Sequence, residues 1–188
     1  MKRRSVLIFV LALALASLFP GYAAADSGSA TYAYVVGAAP LCGLASNACP
    51  DVSVAPNGDT VAITGSGTLS IGPKTATGGG TFTHKTSAGS VVASGRWTAT
   101  SLAGFHSFGS AAAQGLPPEL FGGLAILKVH IVTTSGLEAD GLLTITCTLG
   151  DQIPASATEG LRLNVQDIIN FNKEVSGLTV FVLLPSRN

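Results

Sequence analysis

Three histidines are the side chains of this chain best suited to metal binding or acid–base chemistry: His84, His106 and His130. They lie 22 and 24 residues apart, so none of them forms the short H-x-H or H-E-x-x-H spacing that brings two ligands onto one element. They could converge only through the fold. Because scattered histidines are usually solvated or incidentally hydrogen-bonded, the sequence predicts no metal site and no cofactor.

Glu138 and Asp140 are a candidate general acid–base pair, since they are two residues apart and can point to one side of a strand. Glycosidase carboxylates flank a substrate cleft, whereas this pair lies at the tip of an expected hairpin, where charges are normally solvated. The chain has no G-x-S-x-G nucleophile elbow. Gly65-Ser66-Gly67 and Gly78-Gly79-Gly80 lack the lysine of a phosphate loop and are typical of turns. The sequence therefore predicts no catalytic residue.

Aromatic side chains supply the remaining ligand candidates. Trp97, the only tryptophan, could stack on a sugar ring. Its alternation with small apolar residues favours a buried position instead. Trp97, His84 and His106 are nevertheless the residues from which we expect a ligand contact, if there is one.

The first 25 residues have the three parts of a secretory signal. A basic start, Lys2-Arg3-Arg4, precedes an apolar run over residues 6–19, and Ala23-Ala24-Ala25 offers a small-residue cleavage site. The run is shorter than the ~20 apolar residues of a membrane span, and no later segment is long and apolar enough to be one. We expect a protein that is secreted, to the exterior or the cell envelope.

Export decides how the three cysteines are interpreted, because an oxidising compartment favours a disulfide. Cys42 and Cys49 lie in one loop-like segment with six residues between them, so their pairing is favoured. The competing pairing joins Cys147 to one of them. Cys147 lies in an apolar alternation, where a thiol packs as a small hydrophobe and stays protonated.

Composition excludes two classes of protein. Without residues 1–25 the chain keeps 7 of its 10 basic and all 10 acidic residues, a net charge of −3. Nucleic-acid binding needs a denser basic surface. Apolar residues are 47% of the chain, too many for a disordered protein of low charge.

Apolar–polar alternation predicts about eight to ten short strands, and hence an all-β, antiparallel sandwich or barrel-like domain. Residues 158–172 also fit a helical period, but the strict alternation over 161–166 favours a strand. Residues 26–50 contribute an N-terminal strand and the cysteine loop. Together with the antiparallel β domain at 51–188 they form a single domain.

One hairpin is expected in detail, from strands at 124–134 and 140–149. Apolar residues on both strands must face the same side, so odd residues pair with odd residues. A five-residue loop at 135–139 would place Leu127 opposite Cys147 and His130 opposite Thr144. His130 is expected to face solvent or a polar sheet surface.

Several glycine-rich strand motifs occur together along the chain. They are Val52–Asp59, Gly65–Ile71, Gly78–His84, Gly95–Thr100, Leu116–Pro118 and Ile169–Glu174. In these motifs the chain resembles a family of small secreted prokaryotic β-proteins with no assigned function. The resemblance implies no catalytic or binding residue.

Two functions of different classes fit these observations. The favoured one is a secreted non-catalytic β-domain acting in binding, adhesion or envelope structure, with a polar surface or a small molecule as its partner. The alternative is a small secreted β-barrel enzyme or ligand carrier with a site near His84, His106, Phe105 and Phe108. A packed interior would favour the first, and a deep pocket with converging polar groups the second.

Overall fold

The computed structural model describes residues 30–185, and the predicted signal peptide lies outside this range. The described chain is built from strands, with short 3-10 helices at Leu41–Gly43 and Ala111–Gln114. The all-β antiparallel fold is confirmed, and the strand count is one above the expected range. The eleven strands are β1 Thr31–Val36, β2 Asp51–Val54, β3 Thr60–Ser70, β4 Thr75–Lys85, β5 Val91–Ser110, β6 Leu120–Thr133, β7 Glu138–Cys147, β8 Gly160–Val165, β9 Ile169–Phe171, β10 Lys173–Ser176 and β11 Thr179–Leu183.

Six of the strands form a closed circuit. β3, β4, β5 and β6 follow one another as an antiparallel meander. β1 pairs with β3 on one side and with β11 on the other, and β11 pairs with β6. These six strands therefore form a barrel-like part of the sheet, since each strand of the circuit has a hydrogen-bonded neighbour on both sides.

Outside this circuit, side chains bridge the sheet where β8 approaches β2 and β10. β2 pairs with the start of β3, and β7, β8 and β9 extend the sheet from β6. The Leu161 N–H donates to Asp51 Oδ1 at 3.2 Å. Arg162 Nε lies 3.0 Å from Glu174 Oε1, which joins β8 to β10. Polar side chains thus connect strands here that share no ladder.

The interior of the closed circuit is packed. Trp97 is 3% exposed and donates from Nε1 to the Thr64 carbonyl at 3.1 Å. Its ring stacks on Tyr34 with 6.5 Å between centroids. A side chain at Gly65 would collide with this indole, so the glycine permits the close approach. Large side chains and glycines on facing strands therefore fill the circuit together.

The β6–β7 hairpin forms, but the predicted register is wrong. Leu127 pairs with Leu143 and His130 with Asp140, so odd residues still pair with odd residues. The turn closes earlier than expected, because the Thr133 N–H donates to the Leu137 carbonyl at 2.8 Å. Gly136 has a φ of +85°, as the last residue of a three-residue hairpin loop requires. The shorter loop shifts the pairing by four residues.

Cys42 and Cys49 form the predicted disulfide, with 5.1 Å between their Cα atoms. Cys147 is buried, and burial raises the pKa of its thiol to about 12. Within residues 30–185 no helix is long and apolar enough to cross a membrane.

Candidate functional site

Every second turn of an antiparallel meander lies at the same end of the sheet. Four turns meet in this way, those between β2 and β3, β4 and β5, β6 and β7, and β8 and β9. The strand ends next to them enclose a cavity of about 230 Å³. We call it the mouth cavity, and its lining is mostly apolar: Val61, Phe82, His84, Val92, Ala93, Ile131, Thr133, Leu137, Glu138, Ala139, Leu163, Val165, Ile168, Ile169 and Phe171.

Three aliphatic side chains form an exposed rim around the mouth cavity. Val92, at the start of β5, is 54% exposed, Leu137 in the β6–β7 turn is 70% exposed, and Ile168 in the β8–β9 turn is 69% exposed. Each belongs to a different hairpin. Single exposed aliphatic residues are ordinary on protein surfaces, but three that line one apolar cavity extend its apolar surface to solvent.

His84 is the histidine of the mouth cavity. It follows Phe82 by two residues in β4, so both side chains face the cavity. The ring packs edge-on against Phe171, with 5.1 Å between centroids. Its Nε2 lies 3.0 Å from Asp59 Oδ2 in the β2–β3 turn. A histidine held by a carboxylate is thus the main polar feature of an apolar lining.

Asp59 is fixed from several sides. The Ser87 N–H donates to Oδ1 at 3.1 Å, and the Asp59 N–H donates to Asn57 Oδ1. The hydrogen bond from His84, followed by that from Ser87, lowers the pKa of the Asp59 carboxyl below its ordinary value. The carboxylate is therefore ionised at neutral pH and accepts a hydrogen bond from the imidazole N–H.

Two other polar side chains line the mouth cavity, and both are engaged elsewhere. Thr133 Oγ1 accepts from the Leu137 N–H at 2.9 Å and also contacts Ser135 Oγ. Glu138 Oε2 lies 3.6 Å from His130 Nε2 on the outside of the sheet. Thr133 is thus committed to its own turn, and the Glu138 side chain is 65% exposed, so His84, at 16% exposure, is the polar side chain of the lining that is both sheltered and available.

No family model, curated protein or solved structure matches this chain. Its function therefore has to be inferred from the cavity and the residues around it.

The other residues predicted near the site are not in the mouth cavity. His106 lies on the outer face of β5, where it packs against Phe108 and borders a groove with Arg162. Phe105 packs in the core against Tyr32. Trp97 is buried in the closed circuit, so its indole offers no exposed face to a ligand. The structure does not bring His84 and His106 together.

His130 lies on the outer face of the β6–β7 hairpin with two carboxylates. Its Nδ1 is 3.0 Å from Asp140 Oδ1, and the Glu138 and Asp140 side chains are largely exposed. Among residues 30–185 no group of three His, Cys, Asp or Glu side chains has the geometry of a metal site. The three residues form a solvated cluster.

A second buried polar cluster lies where β2 meets β8 and β10. Asp51 is fully buried, and desolvation raises the pKa of its carboxyl to about 8, an effect reinforced by the charges of Glu159 and Glu174. Glu159 itself accepts hydrogen bonds from the backbone N–H groups of Thr148 and Thr179. These contacts join loops to strands and lie apart from the mouth cavity.

Sequence reasoning found His84 but missed its surroundings. The sequence places Asp59 only in a turn, since nothing in Pro56-Asn57-Gly58-Asp59 shows that its side chain reaches the next hairpin. Leu137 and Ile168 lie in turns, where apolar residues break the expected polar pattern. That departure is the one signal that could have indicated an apolar mouth.

Proposed function

We propose that this protein is a non-catalytic binding domain that holds a small apolar molecule in the mouth cavity. The observation that carries the proposal is an apolar cavity, open through an aliphatic rim, with one polar side chain that remains available. Ligand sites have this composition, in which apolar walls supply affinity and few polar groups fix orientation. Binding is thus favoured over adhesion or a purely structural role.

The cavity size limits the ligand. A buried apolar cavity of roughly 150 Å³ is large enough to bind benzene, and sites for drug-sized ligands begin near roughly 300 Å³. The mouth cavity, at about 230 Å³, lies between these values. It suits a single ring that carries a short alkyl chain.

Titration with propylbenzene tests the proposal, with heat of binding and ligand-observed NMR as readouts. Ala93 lies beside His84 in the cavity wall, so the phenyl ring of Ala93→Phe would occupy the ligand's space. We expect binding by the wild type and at least a tenfold loss in Ala93→Phe. The matched control is Ala33→Phe, which adds the same ring on the outward face of β1, away from the cavity. Equal binding by both variants, or none by the wild type, would contradict the proposal.

One observation favours a second candidate, a small enzyme. A histidine oriented by a carboxylate can act as a general base, and His84 has this arrangement with Asp59. The two functions differ in what happens to the bound molecule. Candidate ligands incubated with the protein would be recovered unchanged from a binding domain, whereas mass spectrometry would detect a product from an enzyme, and that product would be lost in His84→Phe.

The proposal includes export. The signal-like segment at residues 1–25 and the Cys42–Cys49 disulfide support it, because disulfides persist in oxidising compartments. Expression of the full chain should release a protein whose N-terminal residue is Asp26. N-terminal peptide mapping of the culture medium and of the cell envelope measures this. An uncleaved chain retained inside the cell would contradict it.

A further inference from the structure

We infer that the molecule bound in the mouth cavity carries a hydroxyl group, which donates a hydrogen bond to His84 Nδ1. This inference rests on the proposed binding function and names the chemical class of its ligand: a small apolar alcohol or phenol.

The tautomer of the neutral His84 ring is set by its partner. Asp59 is held as a carboxylate by His84 and by the Ser87 N–H, and a carboxylate can only accept hydrogen bonds. The proton between the two residues therefore belongs to Nε2. In the neutral imidazole, Nδ1 is then an acceptor. Asp59 thus determines which kind of ligand group His84 can recognise.

Nδ1 is also the polar atom that remains available. Nε2 is used by Asp59, and among the described residues Nδ1 has no hydrogen-bond partner. It is not among the buried unsatisfied atoms, so it keeps access to solvent or to a ligand. Of the other polar side chains of the lining, Thr133 is hydrogen-bonded within its own turn and Glu138 is largely exposed beside His130.

A hydroxyl matches this acceptor better than a carboxylate, an ether or a carbonyl does. A carboxylate would face a lone pair at Nδ1 and would lose its hydration in an apolar cavity. An ether or a carbonyl has no hydrogen to donate. A phenol donates one hydrogen bond and places its ring against the apolar walls formed by residues such as Phe82 and Phe171.

Two isomers provide a matched comparison. 4-Propylphenol and 4-ethylanisole have the same formula, but only the phenol can donate a hydrogen bond. Propylbenzene supplies the apolar reference. We expect calorimetry at neutral pH to show 4-propylphenol binding about fivefold tighter than 4-ethylanisole, the factor that one neutral hydrogen bond of typical net strength supplies. In protein labelled with ¹⁵N histidine, the phenol should shift the Nδ1 resonance of His84, and the ether should not.

His84→Phe keeps a ring against Phe171 and removes the acceptor. It should lose the preference for the phenol, measured within this variant as the ratio of its dissociation constants for 4-ethylanisole and 4-propylphenol. If propylbenzene binds but the isomers bind equally, or if the preference survives in His84→Phe, the inference is wrong and the proposed function stands. If a small carboxylate such as 4-ethylbenzoate binds tightest, the inference is also wrong. If none of these compounds binds the wild type, the proposed function itself fails.

Discussion

Replacing Asp51 with asparagine should remove a loss of stability that the protein suffers as pH rises. Asp51 begins β2 and is fully buried. Its Oδ1 accepts the Leu161 N–H, while Oδ2 has no partner among the described residues. Desolvation by burial, reinforced by the negative charges of Glu159 and Glu174, raises the pKa of Asp51 from 3.8 to about 8. The folded state therefore favours the protonated carboxyl of Asp51.

The direction of the stability change with pH follows from the difference in bound protons between the folded and the unfolded chain. Between pH 4 and pH 8 the folded chain keeps the Asp51 proton, whereas the unfolded chain has released it. Stability therefore falls as pH rises through this window, by at most about 1.4 kcal/mol per pH unit. From pH 5 to pH 7 the loss from this one group is about 2.5 kcal/mol, a large part of the stability of an ordinary domain.

Urea unfolding at pH 5, 6 and 7, followed by the fluorescence of buried Trp97, measures the effect. Asp51→Asn keeps an acceptor for Leu161 and cannot ionise. Other titrating groups act on both proteins, so the stability gained by Asp51→Asn over the wild type should grow by about 2.5 kcal/mol from pH 5 to pH 7. The control, Asp167→Asn, changes an exposed carboxylate in the β8–β9 turn and should retain the pH dependence of the wild type.

A difference in unfolding free energy between Asp51→Asn and the wild type that stays constant with pH would refute the reasoning. It would mean that Asp51 has the same pKa in the folded and the unfolded chain. A gap that shrinks as pH rises would mean that the folded state favours the ionised carboxylate.

Two further changes test the fold. Replacing both Cys42 and Cys49 with serine opens a short loop and should lower the free energy of unfolding by about 2.5 kcal/mol, measured by denaturant unfolding without reductant against the wild type, which keeps the disulfide. Trp97→Phe removes the hydrogen bond to the Thr64 carbonyl and leaves a void, so thermal unfolding followed by circular dichroism should show a loss of about 2 kcal/mol. Unchanged stability in either variant would contradict the packing described.

The strands were predictable because most of them alternate against a single core. β2 shows the limit of that pattern. Val52 and Val54 mark it as a strand, yet Asp51 and Ser53 are its fully buried side chains. Alternation reveals two faces but not which of them a neighbour covers, and here β8 packs against the polar one. The buried carboxylate is consequently invisible in the sequence.

The site was less predictable than the fold, because its residues come from separate turns. His84 and Asp59 are 25 positions apart and meet only because β3 pairs with β4 over its whole length. The register of β6 and β7 shows how sensitive such meetings are, since Gly136 alone permits the shorter loop.

The mouth cavity also differs from the barrel-like circuit in what holds its residues. Trp97 and Tyr34 are fixed by packing on all sides, so substitutions there should lower the free energy of unfolding. Leu137 and Ile168 are more than two-thirds exposed, and little folding energy depends on them. Apolar side chains in such positions cost solubility without supporting the core. Their presence around the cavity that contains His84 supports the proposal that a small molecule binds where these turns meet.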